Sequence, residues 1–227
     1  IVKMIVEIIR QFYTEPRSFR TQDENGKKSF IEFSSDLMKK TGIDYSVTDD
    51  VIAKMLCNDS RVEQALRLIM QKFGEALYWH IRRMVIVHDD AEDVLQETMV
   101  NVFKYRNTYS KEYALSSWLY KIATNESLKL LKNRAALMQS VDDLGDSLKN
   151  SVSAEATPSA DKTLILLQEA IALLPIKQKT VFNLRYYDEM SYEEIHQITG
   201  DSINTLKTNY HYAVNKIKEY ITEHSLL

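Results

Sequence analysis

The chain has 227 residues, 44% of them hydrophobic, and a formal net charge of −3. Its 5 Gly and 3 Pro, set among long amphipathic runs, exclude a strand-rich fold and predict an all-α protein. A single cysteine, Cys57, excludes an internal disulfide and a cysteine-based zinc cluster, and no apolar run reaches bilayer-spanning length.

The charge is an average over segments of opposite sign, so it does not exclude a nucleic-acid binder. Residues 1 to 47 carry the weakest signal. The opening IVKMIVEIIR is too short and too charged to span a membrane, and no small-residue cleavage site follows it. TEPRSFRTQDENGKKS then reads as loop or disorder. The sequence opens on Ile1, with Met38 and Met55 as alternative starts, and 1–47 is treated as an unassigned extension.

Order begins near Thr48. TDDVIAKML reads as a short helix whose acidic first turn complements the helix dipole. Ser60 and Glu63 have the spacing of a capping box. A long helix follows from about Arg61 to Val87, with Ala65, Leu66, Ile69, Phe73, Leu77, Ile81 and Met84 inward. HDDAEDVLQETMVNVFKYR starts the next helix at Asp89 or Asp90 and buries Ala91, Val94, Leu95, Thr98, Met99, Val102 and Phe103. Asp90, Glu92, Asp93, Gln96 and Glu97 crowd the other face. That face is either a solvated acidic surface or a dock for a basic partner; phosphates would be repelled from it.

The chain then turns polar and aromatic in YRNTYSKEYALSS, with Tyr105, Tyr109 and Tyr113 ahead of Trp118. Stacking on unpaired bases needs such a loop. The helix SWLYKIATNESLKLLKNR is expected to bury Leu119, Ile122, Ala123 and Leu130. Lys121, Asn125, Lys129 and Lys132 recur at helical spacing and share a face, which Arg134 extends. A charged solvent face is the plain alternative, but the position directly after the aromatic loop favours nucleic acid. From Ala135 to Lys162 the sequence is small, acidic and Ser-rich, the composition of a flexible linker.

Helix returns over Thr163–Leu174, and Pro175 suits the first turn of IKQKTVFNLRYY. In SYEEIHQITGDSINTLKTNYHY, Ser191 and Glu194 form a capping box and Ile195 and Ile198 point inward. Gly200 supplies the turn, because glycine enters the left-handed region cheaply. A last helix starts at Ser202 or Asn204. It carries Leu206, Tyr210, Ala213, Val214, Ile217 and Ile221 on one face, and Asn204, Lys207, Thr208 and His211 opposite. The outer residues have the size and hydrogen-bonding groups to read base edges, so the pair predicts a DNA-binding helix-turn-helix.

In series, DAEDVLQET, SWLYKIATN, a linker, ALLPIKQKTVFNLRYYDEMSYEEI and a terminal recognition helix resemble bacterial RNA polymerase sigma factors of the extracytoplasmic function (ECF) group, sigma-70 family, over roughly Thr48 to Ile221. The resemblance implies a sigma-two bundle at 48–134, a flexible acidic linker at 135–162 and a sigma-four helix-turn-helix domain at 163–227. It implies binding to core RNA polymerase, recognition of promoter DNA at minus-10 and minus-35 elements, and strand opening without a catalytic residue, metal or cofactor in the sigma factor. A cytoplasmic location is implied, and so is an anti-sigma factor, which in this family is often membrane-anchored.

Residue by residue, Asp93, Val94, Leu95, Gln96 and Glu97 match the family segment that grips the clamp helices of the polymerase beta-prime subunit. Tyr105 to Ser117, Tyr109 included, matches the loop that captures a flipped minus-10 base. Trp118, Lys121 and Asn125 match the helix beside it, and Lys129 and Lys132 continue that face. Lys207, Thr208 and His211 match positions facing minus-35 bases; Arg185, Tyr192 and Thr205 are candidates for phosphate contacts. The chain departs from the family in lacking several arginines of its last helix and in placing His196 where a small alanine is usual. Fewer phosphate contacts imply a shallower salt dependence.

Two rival readings are weaker. Glu193 and His196 form a Glu-x-x-His pair of the kind di-iron bundles use, but no second pair occurs. A helix-turn-helix regulator that does not bind core polymerase shares the C-terminal motif but leaves the acidic helix, aromatic loop and basic helix unexplained.

Overall fold

A computed structural model describes residues 47–137, 147–152 and 162–224. Residues 1–46 of the expected 1–47 extension and most of the expected linker, 138–146 and 153–161, lie outside the described residues. Among the described residues there is no strand. The helices are α1 (Asp49–Leu56), α2 (Val62–Val85), α3 (His88–Tyr105), a 3-10 turn (Arg106–Thr108), α4 (Leu115–Leu137), α5 (Lys162–Ala172), α6 (Ile176–Tyr186), α7 (Tyr192–Thr199) and α8 (Ile203–His224), and residues 147–152, inside the expected linker, are helical as well.

By spatial contact, residues 47–75 with 99–115 form one compact unit, and 76–98 with the described residues from 116 onward form a second. In the first, α1 buries Ile52, Ala53, Met55 and Leu56. The neighbouring turn of α2 buries Ala65, Leu66, Leu68, Ile69 and Met70. Each such Leu, Ile or Met side chain removed from water stabilises the fold by about 1.5–3 kcal/mol. Lys72 and Asp49 tie the two helices by an ion pair. The expected Ser60–Glu63 capping box is absent. Asn58 Oδ1 instead accepts from the Ser60 amide at 3.0 Å, and Glu63 pairs with Arg67 at 2.8 Å. An Asx-type turn has captured the chain first, which is the local competition expected of asparagine.

In the second unit α2 ends one residue before Ile86, whose φ of 70° is rare for a β-branched residue. The Ile86 amide still donates to Arg82 O at 2.8 Å, and its side chain is buried. Burial thus holds a conformation the backbone alone would refuse. On α4 the buried stripe runs through Leu119, Ala123 and Leu131; Leu130 and Ile122 are only half-buried, so the inward register at the helix end is one residue later than expected. The helix also continues to Leu137, three residues into the expected linker.

Helices α5, α6 and α8 share a core of Ala170, Ile171, Leu174, Phe182, Ala213 and Ile217, with Leu167, Tyr210, Val214 and Ile221 packed around it. Helix α7 closes the group through Ile195 and Ile198. Ser191 Oγ accepts from the Glu194 amide while the Glu194 carboxylate accepts from the Ser191 amide, the reciprocal capping box the sequence predicts. Gly200 sits at φ 77°, the left-handed turn that ends α7. Two polar residues on one face of α6, Lys179 and Asn183, are buried at 1% and 0% exposure, a departure from ordinary helix patterning.

Candidate nucleic-acid interface

In the first unit the aromatic loop is shorter than the sequence predicts, because α3 extends to Tyr105 and α4 begins at Leu115. Arg106 anchors its base. The guanidinium donates to Asp59 Oδ1 at 2.7 Å and to Phe103 O at 2.9 Å, and lies 4.3 Å from the centre of the Phe103 ring. Tyr109 O–H donates to Tyr113 O at 2.9 Å, which folds the loop onto itself. Burial, with Asp50 and Asp49 nearby, pushes the Tyr109 phenol up, so it stays a neutral donor. Tyr105 and Tyr113 are exposed, and Lys104 Nζ lies 5.2 Å from the Tyr105 ring centre. Sequence reasoning singled out Tyr109 and missed the role of Arg106, which needed knowledge that Asp59 lies beside it.

In the second unit, α3 separates the five acidic-segment candidates. Val94 and Leu95 are buried, at 4% and 0% exposure, while Asp93 and Glu97 are exposed and Gln96 is half-exposed. Val94 and Leu95 therefore lock the helix from beneath, and only Asp93, Gln96 and Glu97 offer surface. Asp90 turns away to Arg134, 2.6 Å distant, and burial pushes its carboxyl up against the pull of that guanidinium. Arg134 is thus engaged by α3 and is not a free extension of the basic face.

Helix α4 does bring Lys121, Asn125, Lys129 and Lys132 to one exposed face. Lys129 is paired with Glu126 at 3.0 Å, so its charge is partly neutralised. Trp118 is half-buried on the same helix. Beneath this face Ser127 Oγ donates to Ala123 O at 2.8 Å and Thr124 is buried, so the polar residues of α4 divide cleanly into inner and outer sets.

At the helix-turn-helix, Ser202 caps α8. The Thr205 amide donates to its Oγ at 3.2 Å, and the Leu206 amide to its carbonyl at 2.9 Å. Asn204 therefore lies inside the first turn and does not start the helix. Lys207, Thr208 and His211 are all exposed along α8. Thr208 Oγ1 donates to Asn204 O at 2.9 Å, and His211 Nε2 lies 3.0 Å from Asn215 Nδ2. Tyr192 gathers two cations: Arg185 is 5.3 Å and Lys207 5.8 Å from its ring centre. Arg185 Nη1 also donates to Met190 O at 2.8 Å. Arg185, Tyr192 and Lys207 so form one positive cluster at the mouth of α8, with the Thr205 hydroxyl 2.9 Å from Ser202 Oγ beside it.

The turn is reinforced in a way the sequence reading missed. His196 Nδ1 donates to Asp201 O at 2.9 Å, and Lys177 Nζ reaches Asp201 Oδ1 at 3.3 Å. The unusual His196 therefore staples the turn that a small residue would leave to the backbone. Its partner lies five residues away across a glycine turn, which periodicity alone does not show.

Among the described residues, no helix is long and apolar enough to cross a membrane, and no group of three or more His, Cys, Asp or Glu is placed to hold a metal ion.

Comparison with known proteins agrees with this geometry. The model of sigma-70 region 2 matches residues 69–136, and that of sigma-70 region 4 matches 164–217. The chain is 28% identical to the Bacillus subtilis RNA polymerase sigma factor SigV over 61% of its length and 80% of the relative's. It is 27% identical to the ECF RNA polymerase sigma factor SigW of the same species, over 66% and 84%. In fold it is similar to the Bartonella quintana sigma factor RpoE, solved with the anti-sigma factor NepR, at TM-score 0.53 and 21% identity over 71% of this chain and 96% of that one. It is also similar to CnrH, solved with the cytosolic domain of CnrY, at TM-score 0.57 and 19% identity over 78% and 98%. Region 2 and region 4 follow one another along this chain, and the chain belongs to the sigma-70 family, in its ECF group.

Proposed function

We propose that this ECF sigma factor binds core RNA polymerase and directs it to promoters through minus-10 and minus-35 elements. The observation that carries the proposal is the coexistence of region 2 and region 4 in one chain, each exposing its own polar, basic helix face. Asp93, Gln96 and Glu97 form the polymerase-facing surface, supported by buried Val94 and Leu95. Lys121, Asn125, Lys129 and Lys132 take the minus-10 strand beside Trp118, with the Tyr109 loop as the receptor for an unpaired base. Lys207, Thr208 and His211 read minus-35 base edges while Arg185, Tyr192 and Thr205 hold phosphates. Residues 48–134 and 163–227 serve as the two working domains, joined by 135–162.

In this reading the protein is a transcription initiation factor and not an enzyme, because every residue assigned here serves to bind polymerase or DNA. It acts in the cytoplasm, where core polymerase is found. The two solved relatives were each captured with an anti-sigma factor or its cytosolic domain, and a partner of that kind is proposed here as well. Pull-down of purified core polymerase by the tagged chain tests the central step. Retention by the native chain and loss in Glu97→Lys support it. No retention by the native chain would favour a helix-turn-helix regulator instead.

A further inference from the structure

On the polar face of α8, the direction of each hydrogen bond decides what the side chain still has to offer. Thr208 Oγ1 donates its hydrogen to Asn204 O at 2.9 Å, which leaves the hydroxyl with lone pairs alone: it accepts. His211 Nε2 lies 3.0 Å from Asn215 Nδ2, one turn further along the helix. An amide nitrogen donates and never accepts, so Nε2 is the acceptor of this bond. An imidazole that accepts at Nε2 carries its hydrogen on Nδ1. No hydrogen bond to that Nδ1 is formed among the described residues. Thr208 and His211 are exposed, while Asn215 is half-buried and lies further from the helix N-terminus, the end that enters a groove.

The choice of nitrogen matters because histidine, unlike lysine or arginine, does not donate from every polar atom. Its free nitrogen is a donor in one tautomer and an acceptor in the other, and the bond made by the second nitrogen sets which. Without the Asn215 amide both tautomers are open to His211. With it, the ring offers a donor.

Base edges in a major groove answer these two groups differently. Guanine presents O6 and N7 and thymine presents O4, all acceptors, whereas adenine N6 and cytosine N4 donate. A donor at His211 is matched by guanine or thymine. Cytosine offers it nothing, and adenine offers N7 beside its own donating amino group. An acceptor at Thr208 is matched by adenine or cytosine and meets opposed lone pairs on guanine or thymine. The two residues are three apart, a rise of about 4.5 Å along α8, comparable with the roughly 3.4 Å between stacked bases. They therefore address neighbouring bases.

We propose that Asn215 is a positioning residue for promoter recognition. It fixes the tautomer of His211, so that α8 presents a donor at His211 beside an acceptor at Thr208. The pair selects a keto base, guanine or thymine, stacked next to an amino base, adenine or cytosine. This inference rests on the promoter-directed function above, which places Thr208 and His211 at the minus-35 element and assigns neither a base. Asn215 itself acts through His211 and touches no base.

Long-range proton–nitrogen NMR of the full chain, labelled at histidine nitrogen, reads the tautomer, with the His211 signals identified by their loss in His211→Ala. The native chain should show hydrogen on Nδ1, and Asn215→Ala a mixture of the two tautomers. Asn215→Gln keeps an amide donor and should restore the native pattern. Hydrogen on Nε2 in the native chain overturns the proposal. Holoenzyme assembled from purified core polymerase and the full chain then selects from promoter fragments randomised over the minus-35 element. The native chain should enrich a keto base next to an amino base. His211→Ala should relax the keto preference about tenfold and leave the amino preference; Thr208→Val should do the reverse. Asn215→Ala should relax the keto preference alone, admitting adenine and cytosine there, and Asn215→Gln should recover it. If Asn215 merely supports the helix, its loss lowers enrichment evenly with base preferences unchanged, and that result overturns the proposal. An element enriched by the native chain but insensitive to His211 and Asn215 sinks this inference and leaves the sigma-factor reading standing. No enriched element at all defeats that reading, and this inference with it.

Discussion

Lys179 sets a cost that a single substitution should remove. It sits on α6 at 1% exposure, four residues from buried Asn183 on the same face. Burial lowers its pKa from 10.5 to about 8. At pH 7 the ammonium is still protonated and the fold bears the whole desolvation penalty. A gap of about 2.5 pH units, at 1.36 kcal/mol each, corresponds to about 3 kcal/mol. Lys179→Met keeps an unbranched chain of similar length and removes the charge, so it should stabilise the protein by about 2–3 kcal/mol at pH 7. The sign of the pH dependence follows from proton binding. Between pH 8 and 10.5 the unfolded lysine holds more protons than the folded one, so native stability rises with pH in that window. Below about pH 8 the penalty is constant. Buried Tyr120 and half-buried Tyr187, whose phenols are pushed up by desolvation, oppose the rise only when unfolded tyrosines ionise near pH 10. Urea titrations followed by far-UV circular dichroism at pH 7, 8, 9 and 9.5 isolate the effect. The native chain should gain stability from pH 8 to 9.5, and Lys179→Met should be more stable at pH 7 and flat across the window. A variant no more stable than native at pH 7, with the rise intact, would refute the buried-ammonium argument.

The capping box predicts that Ser191→Ala costs about 1 kcal/mol in the same urea titration. Exposed Glu189 holds φ 54°, so Glu189→Gly should raise stability by about 0.5–1 kcal/mol; a loss would show that its left-handed backbone is not strained. Lys207→Ala should weaken minus-35 DNA binding and flatten the plot of log affinity against log salt by about 1, measured by fluorescence anisotropy. The parent slope should itself be shallow, since the last helix lacks several arginines expected at phosphates; a slope equivalent to about six or more contacts would contradict that.

Much of the fold was legible because its signals are local. The Ser191–Glu194 box, the Gly200 turn and the 3–4 spacing of Leu206, Ala213 and Ile217 each lie within one helix or turn. Sequence reasoning failed where the deciding partner is distant. The Ser60 box lost to Asn58, a competition that spacing rules do not rank. Leu131 is buried where Leu130 was expected because it lies seven residues beyond buried Thr124 and continues that edge of α4, which reads as polar in the sequence. Val94 and Leu95 matched a binding segment as a string, yet only burial separates the residues that face outward from those that hold the helix. Asp188 lies more than a hundred residues from its partners His80 and Arg83, and nothing in their local sequence marks the three as a group. Lys179 reads as one more polar position on α6 until its surroundings are known.

Run-off transcription with purified core RNA polymerase on a library of promoter fragments tests the central claim most directly. Transcripts that appear only when this protein is added, that share two upstream elements, and that are lost with Asn125→Ala and Lys207→Ala, are the predicted result. No protein-dependent transcript, from a chain that also fails to bind core polymerase, would contradict it.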